Sequence, residues 1–351
     1  MSSRRTTHAL IALLTSLFLA VSVTSTPAEA QQQRKQTRGS VTWVTDTWVS
    51  GSGTGYSLSG TVSGARKRPL LLQYKGAQGW QRLARTKAVD NAFTFNGTWD
   101  WYGTHKVRVL APATRRHSRR AFEAHRVNVV PSYTARGLAG DHNLLRFNGL
   151  RERVNPCQPI RYKLNLDDIG DGVLPIIDSV LFQFTQATGV RFKYVGRTHT
   201  IPQGRRTMDR GTDLIIAWAS QSERPALAGA VAVSQIVKLD LGRDRKGRVW
   251  SVKQTGVTVN SDLTVPGSPN QAVDIALDSP SRATLGMTLL HELGHGFGLA
   301  HTDRNEAGRA QLMYFSTDNL PWSNGWFRSL FGAGDLAGLR KVGLAAGCVR
   351  D

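Results

Sequence analysis

Between Val41 and Val130 apolar residues recur at every second position. Tyr56, Leu58, Gly60 and Val62 alternate with polar neighbours, and His105, Val107 and Val109 alternate with Lys106 and Arg108. A period of two turns one face of an extended chain inward, so these runs predict strands. Ala92-Phe93-Thr94-Phe95 reads as another. Gly76-Ala77-Gln78-Gly79 separates Leu70–Tyr74 from Trp80–Leu83 in the manner of a hairpin turn. Short strands, closely spaced turns and no helical stripe predict an all-β sandwich over residues 41–131, preceded by a polar, flexible lead-in at 31–40.

After a linker at 132–153 the rhythm changes. Pro159–Leu166, Val190–Val195 and Asp213–Trp218 read as strands. Leu174–Thr188 carries Ile176, Ile177, Val180, Leu181 and Phe184 on one stripe and predicts a helix that Gly189 stops. Arg248–Asn260 is a longer alternating strand after the charged turn Asp244–Gly247. Ser279-Pro280 reads as a helix start, with proline at the first position, and Gly334–Gly343 as a short last helix. Strands interleaved with helices place residues 154–351 in the α/β class.

The first 30 residues stand apart. Arg4 and Arg5 precede the apolar run Ala9–Val23, and Ala28-Glu29-Ala30 offers a cleavage site between small residues. Residues 1–30 are therefore expected to be a secretory signal peptide removed after Ala30. No other apolar run is long enough for a transmembrane span, so none is expected in the mature chain. Export brings the chain into an oxidising compartment, where the only two cysteines, Cys157 and Cys348, are expected to pair. Charge is distributed unevenly. The chain has 45 Lys and Arg against 25 Asp and Glu, and residues 31–140 hold 18 and 4 of these, a net of +14. Clusters stand at Arg66-Lys67-Arg68 and at Arg115-Arg116 with Arg119-Arg120. An exported basic domain is expected to meet anionic cell-envelope polymers and not nucleic acid, with a merely solubilising surface as the alternative.

The densest chemistry lies in His291-Glu292-Leu293-Gly294-His295-Gly296-Phe297-Gly298-Leu299-Ala300-His301. Residues four apart share one face of a helix, so His291 and His295 can reach one metal ion. Glu292 stands beside that ion and not on it. Gly298 lets the chain turn out of the helix and bring His301 round as a third ligand. Three imidazoles and an open fourth position describe a catalytic zinc site. A single histidine would more often be a satisfied polar group; three at this spacing, with Glu292 and Gly298 in place, argue for the metal.

This run resembles the metzincin zinc peptidases, whose motif H-E-x-x-H-x-x-G-x-x-H it matches at every fixed position. Leu312-Met313-Tyr314 resembles the family's Met-turn, with Met313 below the metal, and Gly294 and Leu299 lean towards the matrixin branch. The resemblance spans roughly residues 155–351. It implies a zincin catalytic domain with a mixed five-stranded sheet and three helices, with Arg248–Asn260 as the edge strand above the cleft. The first domain is similar, by pattern alone, to immunoglobulin-like modules. The implied activity is that of a secreted zinc-dependent endopeptidase acting on protein or peptide substrates, one Zn2+ as cofactor, and Glu292 as general base. Asp303 is either a group that orients a ligand or the cap of the following turn.

Some family features are missing. No proline follows Tyr314, and no inhibitory propeptide with a metal-binding cysteine is present. Cys157 is either such a ligand or half of the disulfide. Asp167-Asp168 with Asp171, and Asp240 with Asp244, are candidate Ca2+ ligands, with ordinary acidic turns as the alternative. Two further readings stand beside the peptidase: an envelope-binding protein with a degenerate peptidase domain, and a zinc amidase acting on cell-wall peptides.

Overall fold

The computed structural model describes residues 34–50, 55–64, 67–204, 207–264, 271–315 and 326–350. The expected signal peptide, Arg66 and most of the loop Tyr314–Trp322 lie outside the described residues.

The alternating runs of the first domain form β1 (Gly39–Trp43), β2 (Thr47–Val49), β3 (Tyr56–Val62), β4 (Lys67–Gly76), β5 (Gly79–Val89), β6 (Ala92–Gly97), β7 (Gly103–Ala111), β8 (Arg120–Ala121) and β9 (His125–Val130). Hydrogen bonding orders them as β1-β3-β6 in one layer and β5-β4-β7-β9-β2 in the other. The layers meet at one corner through a single pair, Val89 with Ala92. At the other corner the chain leaves β1 and joins β9 in parallel as β2. Leu58, Phe93 and Phe95 from the first layer meet Leu70, Leu72, Val107, Val109 and Val127 from the second, all buried in one core. Each such side chain contributes about 1.5–3 kcal/mol through its removal from water.

The supposed lead-in is part of this domain. Lys35 bridges to His117, and Thr37 is buried and donates to the Ser118 carbonyl. Arg68 explains why. Its guanidinium is fully buried and donates to Ser63 O, Thr37 Oγ1 and Ser118 O, so the segment before β1 is needed to satisfy it. One member of the expected surface cluster is thus an interior group.

The second domain begins inside the expected linker. It contains β10 (Asn143–Leu144), β11 (Arg146–Phe147), β12 (Leu150–Val154), β13 (Ile160–Asn165), α1 (Leu174–Thr188), β14 (Phe192–Arg197), β15 (Leu214–Ala219), β16 (Ala232–Asp244), β17 (Gly247–Asn260), α2 (Ser261–Thr264), α3 (Leu285–Phe297), β18 (Leu299–Ala300), α4 (Glu306–Arg309) and α5 (Ala333–Val342). The mixed sheet runs β14-β13-β15-β17-β16. The first four strands are parallel and β16 is antiparallel to β17. β12 adds to the near half of β17 in parallel, with β11 beyond it. β15 reads Leu-Ile-Ile-Ala-Trp-Ala and is buried at every position, as a strand covered on both faces must be.

Two expectations are corrected here. The strand Arg248–Asn260 is interior, and the edge is β16, a strand whose alternation is broken by register shifts between Ile236 and Leu239. The helix expected from Ser279-Pro280 starts at Leu285 instead. Asp274 Oδ2 accepts from the Ser279 and Ser281 hydroxyls, and Ser279 exchanges backbone bonds with Phe327, which holds the proline in a turn.

Cys157 and Cys348 form a disulfide across 191 positions, with Cα atoms 5.3 Å apart. The two domains also touch directly. Tyr102 N donates to Gln186 O at the end of α1, and Gln186 Nε2 donates to Ser50 Oγ. Gly189, which ends α1 in the left-handed region, lies flat against the Trp101 ring, where a Cβ would come within 2.8 Å. Among the described residues no helix is long and apolar enough to cross a membrane.

Two outcomes follow. Replacing both cysteines by serine should lower stability by on the order of 5 kcal/mol, read from urea midpoints, because the bridge closes so long a loop. His105 is buried between Trp99 and Trp101, and burial pushes it down to about 4. The unfolded chain therefore takes up this proton first, and stability present above pH 6.5 should fall by about 3 kcal/mol as the pH drops to 4. His105→Gln should flatten that part of the profile.

Candidate metal centre

Helix α3 is fixed at both ends. Thr284 caps its start, its hydroxyl accepting from Met287 N at 3.2 Å. Leu285, Leu289, Leu290, Leu293 and Phe297 are buried against the sheet and α1, and Phe297 meets Phe184 at 4.8 Å between ring centres. Gly298 ends the helix at φ 108°, and a Cβ there would fall 2.2 Å from Glu152 O. Only glycine fits both the turn and the contact. The chain then runs through β18, paired with β10, and delivers His301.

The helix face and the turn bring three imidazoles to one point. The Nε2 atoms of His291, His295 and His301 form a triangle with every side 3.1 Å. His291 Nδ1 donates to Leu312 O at 2.8 Å and His295 Nδ1 donates to Leu299 O at 2.9 Å. Carbonyls only accept, so both rings carry their proton on Nδ1 and present a bare Nε2. Such atoms cannot hydrogen-bond to one another; a cation between them satisfies both. The triangle is small enough that one ion would reach all three nitrogens at ordinary metal–imidazole distances, so the three residues fit a divalent cation. Burial pushes His291 down to about 3 and His295 to about 4, and lowers His301, so all three are neutral at pH 7. Neutral imidazole is the form a metal binds. Among the described residues this is the one group of three ligands that converges.

Below the triangle lies the turn that carries Met313. Its sulfur occupies the space a Cβ on Gly294 would need, at 2.3 Å. The turn is held by Asp335 at the start of α5, whose fully buried carboxylate accepts from Leu312 N, Met313 N and Gly332 N. Gln311 Oε1 in turn accepts from Gly334 N and Asp335 N. Leu312 O, fixed this way, is the acceptor that orients His291.

Glu292 lies on the neighbouring face of α3 and is buried. Burial pushes it up to about 8, while a hydrogen bond from Ser234 N on β16 and the charge of Arg224 pull the other way. Arg224 is itself buried and bonded to Pro202 O, Thr258 Oγ1 and Gln235 Oε1. Asp303 does not touch a ligand ring. Its carboxylate accepts from Asn143 Nδ2, which also bonds His301 O, so it bears on the backbone of the third histidine. Cys157 is in the disulfide and is not a ligand. Of the acids considered for calcium, Asp167 faces His199, Asp171 faces Arg197, Asp240 faces Lys238, and Asp244 faces Arg151 and Arg153.

Asp335, Gln311 and Arg224 were not foreseen. Each acts across 20 or more positions of sequence, and no local spacing marks them. Comparison with protein-family models gives no match, and comparison with curated proteins finds no relative.

Elemental analysis should find about one divalent ion per chain and almost none in His291→Ala. Asp335→Ala orphans three buried N–H groups and should cost at least about 3 kcal/mol in urea unfolding, together with weaker metal retention.

Proposed function

We propose that this chain is a secreted zinc-dependent endopeptidase of the metzincin kind, with the sandwich as an accessory domain. The observation that carries the reading is the triangle of imidazole nitrogens with a buried carboxylate one residue along the same helix. A Zn2+ held by His291, His295 and His301 would supply Lewis acidity in a site where three protein ligands leave one position for the reaction.

The chain's own groups supply the remainder. Glu292, pushed towards neutrality by burial, is suited to accept a proton from a water and return it to a leaving amine. The charge of Arg224 pulls against burial and favours its ionised form, the form that accepts a proton. Strand β16 has one edge paired with β17 and lies against α3. Its other edge, along the half nearer Ala232, would let an extended peptide add as a further strand, with the scissile bond carried past Glu292. The disulfide supports an oxidising compartment, in line with the expected signal peptide. The basic sandwich would hold the enzyme near anionic envelope polymers.

Glu292→Gln should keep the metal and lose casein hydrolysis by about 10²–10⁴-fold. A chelator should abolish wild-type hydrolysis, and zinc should restore it. Wild-type rates in the Glu292→Gln protein with metal bound would overturn the reading.

A further inference from the structure

A second constellation lies at the far end of the β16–β17 hairpin and shares no residue with the histidine triad. Arg243 and Arg248 are directly paired across the hairpin. On the other side of β16, Arg243 exchanges both backbone bonds with Arg350, each at 2.8 Å. Directly paired residues on neighbouring strands point to the same face, with Cα atoms about 4.5–5.5 Å apart. Arg350, Arg243 and Arg248 therefore stand side by side in one row, and all three are exposed. Arg350 is fixed in the row by the disulfide at Cys348, two positions earlier.

Like charges at paired positions destabilise a sheet unless something neutralises them. Among the described residues no carboxylate pairs with these three arginines. The nearest acid along the strand, Asp244, is already bonded to Arg151 and Arg153. The row borders an open cavity of about 750 Å³, which Ala77 at the tip of the sandwich hairpin, Arg245 and Asp244 also line. That volume is in the range of small-ligand sites.

We propose that Arg350, Arg243 and Arg248 form a binding site for a multiply charged phosphoryl anion. A guanidinium is a planar fork that engages two acceptor oxygens at once. One carboxylate has two oxygens and serves one fork. A phosphoryl group, or two linked ones, offers enough oxygens and charge for three adjacent forks. The site is independent of the peptidase reading, since it uses neither the metal nor Glu292. Its phosphoryl group can be free or carried on a polymer.

The test is calorimetric titration of the purified full chain with inorganic pyrophosphate, a glycerol-phosphate oligomer and citrate. Saturable, salt-sensitive binding of either phosphate probe is expected, and the probe that binds tells the free from the polymeric source. The double variant R243Q/R248Q should bind at least tenfold more weakly, and R115Q/R116Q, at an exposed cluster elsewhere, should bind as wild type. Without ligand, R243Q/R248Q should melt at or above the wild-type temperature, because the repulsion is relieved, and this also shows that the variant folds. Absence of saturable binding, citrate binding as tightly as pyrophosphate, or an R243Q/R248Q affinity within twofold of wild type would each overturn the proposal.

Discussion

Three imidazole nitrogens held 3.1 Å from one another are the constraint on which the second domain turns. The bare Nε2 atoms of His291 and His295 repel, and the fold has to hold them together against that repulsion. Several unrelated-looking features do this one task. Gly298 allows the sharp exit from α3, Gly294 leaves room for the Met313 sulfur, and Asp335 fixes the turn whose carbonyl orients His291. The same burial that keeps the imidazoles neutral also raises the proton affinity of Glu292. The neutrality of the imidazoles and the raised proton affinity of Glu292 thus come from one source, the close packing around α3.

What the sequence made legible was what covalent spacing dictates. His291, His295 and His301 were readable because a helix and a glycine turn convert their offsets directly into a shared point. Helix α1 was readable because its apolar stripe has a helical period and Gly189 ends it in the left-handed region. Strand β16 was not, because its bulges between Ile236 and Leu239 break the alternation that identifies strands. Its absence from the reading moved β17 to the edge. Ser279-Pro280 carried a good local signal for a helix start, but the Asp274 carboxylate collects the nearby hydroxyls and makes a turn of it. Asp335 and Arg224 have no local signature at all, since their partners are brought close only by the finished fold.

The two domains are more closely joined than the sequence implies. The segment between them enters the second sheet as β12, and the end of α1 is bonded to Tyr102 and Ser50 of the sandwich. Phe184 on that helix packs on Phe297 of α3. A continuous path of contacts therefore leads from the sandwich to the helix that carries the histidines.

The Cys157–Cys348 bridge spans nearly the whole second domain. A backbone cut anywhere between those residues yields two pieces that stay covalently linked. A nicked molecule would keep its mass, and its halves would part only in the presence of a reductant. This topology turns a severed loop into a survivable injury.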